Sequence, residues 1–228
     1  MLIDVIRLSK KTCTKPIQCE LKYATKDNFV GRIIAGYHDE VQNCALLTPK
    51  AAEALCQVQN FLNQSQQGLL IYDAYRPRRA VLDFIAWSKL PPGSSHELAQ
   101  KTKHYPQIEK LELFELGYLS ADSNHSYGRT VDLVLTDAND NALDMGAPFD
   151  YMDVKSHHSA TASLVGEQAY KNRQILLQAM RKFGFEENEK EFWHYHFGDP
   201  RADLAQPLDV PISLNWEKEL ALKSCNVV

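Results

Sequence analysis

Apolar and polar positions along the chain change period several times, and each change marks an element. In TPKAAEALCQVQNFLNQ (48–64), Ala52, Leu55, Val58, Phe61 and Leu62 recur at helical spacing. Thr48 can cap that helix, and Pro49 suits its first position. LLIYDAY (69–75), placed after Gly68, reads as a buried strand. RRAVLDFIAWSKL (78–90) predicts a second helix, stopped by Pro91, Pro92 and Gly93. TVDLVL (130–135) is the clearest strand signal, and EQAYKNRQILLQAMRKF (167–183) is a long helical one that Gly184 ends. EKEFWHYHF (189–197) follows as an aromatic-rich strand, and LNWEKELALK (214–223) predicts a terminal helix. Residues 1–47 read as short extended pieces, and 94–124 as polar and irregular with a short helix near 106–116.

Helices and strands mix here without regular βαβ alternation. That order predicts an α+β fold with an antiparallel or mixed sheet rather than a doubly wound one. No repeat or linker divides the 228 residues, so one domain spanning 1–228 is expected.

Composition narrows the partners. Basic and acidic residues, 25 and 29, are mixed along the chain and sum to −4. There is no basic stripe for nucleic acid and no polybasic membrane patch. No stretch approaches the roughly 20 apolar residues of a membrane span. In MLIDVIRLSKKTC the acid and lysines stand in the wrong order for a secretory signal, so a cytoplasmic protein is expected. The five cysteines, Cys13, Cys19, Cys44, Cys56 and Cys225, form no C-x-x-C pair and read as buried reduced thiols.

Two stretches carry candidate chemistry. SNHSYGRTVDLVL (123–135) holds His125 and Asp132, seven residues apart. A continuous strand would put them on opposite faces and roughly 23 Å apart, but Gly128 permits a turn that brings both to one point. Alone, such a pair is more often a surface hydrogen bond. EFWHYHF (191–197) places Glu191 three residues before His194. A catalytic zinc takes three ligands from His, Asp, Glu and Cys and keeps one position open, and a nearby Glu suits a general base. His194 and His196 share a strand face, so spacing leaves the choice between them open, and an aromatic core strand would also fit.

Together the motifs are more specific. S-x-H-x-x-G-x-x-x-D (Ser123, His125, Gly128, Asp132) followed by E-x-W-H (Glu191, Trp193, His194) resembles the zinc D,D-peptidases. That group holds D,D-carboxypeptidases and D-alanyl-D-alanine dipeptidases, with Hedgehog-type domains as structural relatives. The dipeptidase branch, the VanX type of peptidase family M15, is the better match. KYATKDNFVG (22–31), YDAYRPRRAV (72–81), MGAPFDYMD (145–153) with SHH (156–158), and GFE (184–186) extend the similarity over about 22–197. Residues 198–228 form an extension without a recognised motif.

The resemblance implies a mainly antiparallel central sheet flanked by helices. It implies one Zn²⁺ per chain held by His125, Asp132 and His194, which resolves the choice against His196. Glu191 would be the general base, Arg76 would stabilise the oxyanion, and Tyr23, Ser123 and Asp150 would line a substrate pocket. The implied reaction is hydrolysis of D-Ala-D-Ala, a cell-wall peptide unit, to two D-alanines by a zinc-activated water. Other zinc hydrolases of small peptides, D,D-carboxypeptidases among them, and a non-catalytic zinc module are the alternatives. The expected partner is a small dipeptide, with no nucleic acid and no membrane; a homo-oligomer is left open. The chain departs from the pattern at Phe192, which stands for a tryptophan, and at Arg129 and Thr130, which stand for small residues. His157 and His158 suit a loop or hydrogen-bonding role, and His38, His96 and His104 are expected to face solvent.

Overall fold

TVDLVLT lies at the centre of a five-stranded sheet, and every one of its residues is buried. The structure, a computed structural model, describes residues 1–91, 95–202 and 204–225. The strands are β1 (Ile3–Asp4), β2 (Gln18–Cys19), β3 (Leu46–Leu47), β4 (Gly68–Asp73), β5 (Thr130–Thr136), β6 (Phe185–Asn188) and β7 (Glu191–Phe197). The first helices are α1 (Val5–Thr12), α2 (Pro49–Asn63), α3 (Arg78–Ser88) and α4 (Ser95–His104). Then come α5 (Glu112–Glu115), α6 (Ala162–Val165), α7 (Glu167–Lys182) and α8 (Trp216–Cys225). The sheet runs β2-β4-β5-β7-β6, with β2 parallel to β4 and the other pairs antiparallel. β1 and β3 form a separate short ladder. This is the mainly antiparallel α+β arrangement expected.

Strand alternation explains how the sheet divides its work. Val131, Leu133 and Leu135 of β5 and Leu69 and Ile71 of β4 pack with Leu55, Val58 and Leu62 of α2 and Leu176, Ala179 and Met180 of α7. Burying this many aliphatic side chains, at about 1.5–3 kcal/mol each, anchors both helices on one face. A second, aromatic cluster stands apart from it: Tyr23 meets Phe29, Tyr37 and Phe84 at ring centroid distances of 6.0, 5.8 and 5.2 Å.

Several expectations need correction. The extended reading of residues 1–47 missed α1, which Asp4 caps by accepting from Ile6 N at 2.9 Å and Arg7 N at 3.5 Å. The irregular reading of 94–124 missed α4, a helix with few apolar positions to betray its period. Thr48 holds the cap position of α2, but its hydroxyl makes no capping bond. Phe61 is only partly buried.

The 198–228 segment is built into the fold despite its lack of motif. Leu208 N donates to Ser126 O at 2.9 Å, Arg78 N to Leu208 O at 2.9 Å, and Ile212 N to Gly36 O at 2.8 Å. Val210 N donates to the Tyr75 hydroxyl at 2.8 Å, and Arg79 Nε to Asp209 Oδ1 at 2.9 Å. The strap therefore ties the turn that carries His125 to the start of α3.

Among the described residues no helix is long and apolar enough to cross a membrane. Cys13, Cys19, Cys44 and Cys56 are free thiols, the last two buried, and the Cys225 side chain lies outside the described ones. His38 is exposed, and the His96 side chain lies outside the described ones. His104 is the exception to the solvent-facing expectation: it is buried, and Nδ1 lies 3.3 Å from the Asp150 carbonyl oxygen, to which it can donate.

Burial pushes the pKa of His104 down to about 4, and that of His158 likewise to about 4. In the unfolded chain both take up protons from their ordinary value of 6.5. Their contribution is thus complete above pH 6.5 and is lost as pH falls toward 4, by up to about 1.4 kcal/mol per pH unit for each ring. Urea unfolding at about pH 7.5 and about pH 5 should show a smaller loss for His104→Asn than for the parent chain. Equal losses would show that His104 already titrates normally in the folded state.

Candidate active site

A bulge in β4 decides what the open face of the sheet presents. Ile71 pairs with Leu133, and the register then shifts so that Asp73 pairs with Asp132 instead of Val131. The extra residue turns Asp73 away from the α2 and α7 side and onto the face that carries Asp132. On the other side of β5, His194 of β7 pairs directly with Asp132. Asp73, Asp132 and His194 therefore stand in a row across three strands.

His125 arrives from the turn just before β5. Ser123 precedes a single 3₁₀ turn over Asn124–Tyr127, and Gly128 ends it in the left-handed region at φ 72°. A Cβ at Gly128 would lie 2.5 Å from Leu2 Cδ2, so both backbone and space require glycine there. His125 Nδ1 lies 2.6 Å from the Ala74 carbonyl oxygen, a contact that requires the proton on Nδ1 and leaves Nε2 as an acceptor.

That acceptor meets others. His125 Nε2 is 3.3 Å from Asp132 Oδ2 and 3.3 Å from His194 Nδ1. His194 Nδ1 is 3.1 Å from Asp132 Oδ1 and 3.4 Å from Glu191 Oε2. One ligand atom from each of His125, Asp132 and His194 can be chosen so that all lie within 4.8 Å of one another. Asp132 Oδ1 is buried without a hydrogen bond that satisfies it. Lone pairs converging on one point with too few protons between them fit a cation, and two nitrogens with one carboxylate suit a divalent transition metal.

The surrounding charges sharpen that fit. Asp73 is fully buried and accepts from Tyr37 OH at 2.7 Å and from Arg76 Nε at 2.9 Å. Arg76 lies 5.0 Å over the Tyr23 ring and 5.4 Å over Phe84, with Nη2 3.5 Å from Asp132 Oδ2. Burial raises the Glu191 pKa well above the ordinary range, and the charges of Asp132 and Asp150 add to the effect. Asp150 is raised in the same way, by burial first and by Asp132 second. Its carboxylate accepts from Tyr23 OH at 3.1 and 3.2 Å, on a strained backbone at φ 59°. Four carboxylates thus crowd around one buried guanidinium.

Tyr23, Arg76, Ser123, His125, Asp132, Asp150, Glu191 and His194, the eight residues singled out in the sequence, all line one cavity of about 300 Å³. His196 does not; its Nδ1 lies 2.9 Å from Gly198 O. The departures from the family pattern also point elsewhere. Arg129 donates to Phe197 O at 2.9 Å, and Phe192 lies buried under the Arg173 guanidinium, 4.0 Å from its ring centre. His157 contacts the Tyr118 hydroxyl at 3.0 Å, and His158 packs edge-on against Tyr195.

Comparison with known proteins gives the same direction. The family of peptidase M15 described as D-ala-D-ala dipeptidase matches residues 8–211. A D-alanyl-D-alanine dipeptidase of Enterococcus faecalis is 39% identical over 184 residues, 80% of this chain and 87% of its own. One from Streptomyces coelicolor is 39% identical over 199 residues, 86% and 93% of the two chains. One from Escherichia coli is 35% identical over 179 residues, 78% of each. The chain belongs to the M15 D-ala-D-ala dipeptidase family.

Around this cluster the M15 chain carries residues that sequence reading did not assign. Asp73 is the principal one. Its signal was an acid closing the apolar run LLIYD, three residues before Arg76. Asn188, which donates to Glu191 Oε2 at 3.3 Å, and Tyr37 offered no signal.

Removing the Asp73 charge tests this support. Asp73→Asn should destabilise the M15 chain by about 1–3 kcal/mol in urea titration, because Arg76 loses the carboxylate that Nε and Nη2 share and keeps only Asp132 at 3.5 Å as an ion pair. A loss below about 1 kcal/mol would mean that Arg76 finds another carboxylate at no cost.

Proposed function

We propose that the chain hydrolyses D-Ala-D-Ala to two D-alanines with a single zinc ion held by His125, Asp132 and His194. The observation that carries this reading is the convergence of these three side chains in the cavity that Glu191 also lines. The curated relatives' shared name supports the substrate. The donor set of two imidazoles and one carboxylate suits catalytic zinc, which keeps a fourth position open. When bound there, zinc would lower the pKa of a water and polarise the scissile carbonyl.

The chain's own residues supply the other functions. Glu191, with Oε2 3.4 Å from His194 Nδ1, takes the proton from the attacking water and passes it to the leaving amine. Asn188 holds the same oxygen in place. Arg76 faces the cavity with its charge fixed by Asp73, so it stabilises the oxyanion that develops on the carbonyl without reorganising. Asp150 receives the substrate ammonium, and that pairing draws its raised pKa back down. The Tyr23 hydroxyl positions Asp150, and Ser123 adds a further hydroxyl to the cavity lining. A free amino terminus is thereby selected over a blocked one.

Alanine release followed by ninhydrin should occur from D-Ala-D-Ala, fail with L-Ala-L-Ala, and stop on adding a chelator. Glu191→Gln should lower kcat by at least about 100-fold while one metal ion per chain is retained. Asp150→Asn should raise KM for D-Ala-D-Ala and leave N-acetyl-D-Ala-D-Ala unaffected. Chelator-resistant turnover, or full activity in Glu191→Gln, would overturn the reading.

A further inference from the structure

One residue of the motif-free strap enters the cavity. Arg201 lines it, and among the described residues Arg76 and Arg201 are its two guanidinium groups. They are not equivalent. Arg76 is buried and spends Nε and Nη2 on Asp73. The Arg201 side chain is 53% exposed and, among the described residues, commits only Nη2, to Asp122 Oδ2 at 2.8 Å. Its guanidinium lies 5.3 Å from the Tyr127 ring centre, and the Tyr127 hydroxyl donates to Asp122 Oδ1 at 3.2 Å. Tyr127 and Asp122 therefore hold the plane of the guanidinium, and Nη1 keeps its hydrogens to donate to an anion.

Much of the remaining lining is acidic. Asp122, Asp132, Asp150 and Glu191 all line it, and Asp132 belongs to the cluster with His125 and His194 that could hold a cation. A dipeptide that places its ammonium on Asp150 must put its negative end elsewhere. Ser123 and Asn124 offer neutral groups there, and Arg201 offers charge. We infer that Arg201 is a specificity-determining residue that receives a carboxylate on the C-terminal residue of the substrate. The carboxylate is either the terminal one or an acidic side chain, which share this chemistry. This rests on the reading of the cavity as a peptidase site with Asp150 at the substrate ammonium.

The test compares the metal-loaded parent chain, Arg201→Gln and Asp122→Asn on four substrates: D-Ala-D-Ala, its C-terminal amide, D-Ala-D-Glu and D-Ala-D-Gln. Loss of a charge-assisted bond should raise KM by about 10-fold in Arg201→Gln with kcat within about twofold. If the increase occurs for D-Ala-D-Ala and not for its amide, the terminal carboxylate is the ligand. If it occurs for D-Ala-D-Glu and for neither D-Ala-D-Ala nor D-Ala-D-Gln, the side chain is. Asp122→Asn breaks the same ion pair but keeps the guanidinium, and should preserve the preference for the charged substrate. An equal rise on all four substrates, a matching loss in Asp122→Asn, or no change at all would overturn the assignment. The same comparison read as calorimetric Kd values separates the two readings. A parent chain that binds with this preference but turns nothing over defeats the proposed reaction and leaves Arg201 in its role.

Discussion

Too much buried negative charge for the positive charge beside it is the constraint around which this molecule is organised. Asp73, Asp132, Asp150 and Glu191 surround Arg76, and two imidazole nitrogens face the same point. In a low-dielectric pocket, carboxylates that close cannot all stay ionised unaided. The chain copes in two ways. Glu191 and Asp150 hold their protons far more tightly than usual, and Asp73 locks Arg76 in place. A divalent cation relieves the same imbalance more completely. On the proposed reading it would also release Glu191 and Asp150 to ionise, so that one could accept a proton and the other an ammonium. On that reading, metal binding, general-base readiness and substrate recognition would all follow from one charge balance.

Rigid local devices hold that unfavourable arrangement together. They are the β4 bulge, the glycine-terminated turn that carries His125, and the strap from Leu208 to Ile212 that bonds to that turn. The large aliphatic core behind the sheet supplies the stability that lets the opposite face carry strained and unsatisfied groups.

The parts of the site that were legible in the sequence are those whose geometry is local. His125, Gly128 and Asp132 lie within one turn and strand start, and Glu191 and His194 lie on one strand, so motif and spacing place them. Spacing could not separate His194 from His196; the resemblance chose His194, the one that pairs with Asp132. Asp73 was missed because its role depends on a register shift, which no single-strand pattern reveals. His104 was misjudged because its burial comes from a distant segment: Met152 N donates to His104 O at 2.7 Å. For the fold, α2, α3 and α7 declared themselves by apolar period, whereas α4 and the edge strand β6, FEEN, have too few apolar positions to do so. Arg201 is a lone surface-type residue until the strap folds it over the cavity.

X-ray absorption on the zinc-loaded chain, with His194→Ala alongside, measures the central claim most directly. One ion per chain, coordinated by two imidazole nitrogens and a carboxylate oxygen at about 2.0–2.2 Å, with one nitrogen lost in His194→Ala, is the expected result. Sulfur ligation, or a spectrum that His194→Ala leaves unchanged, would show that the ion sits elsewhere and that the crowded carboxylates serve another purpose.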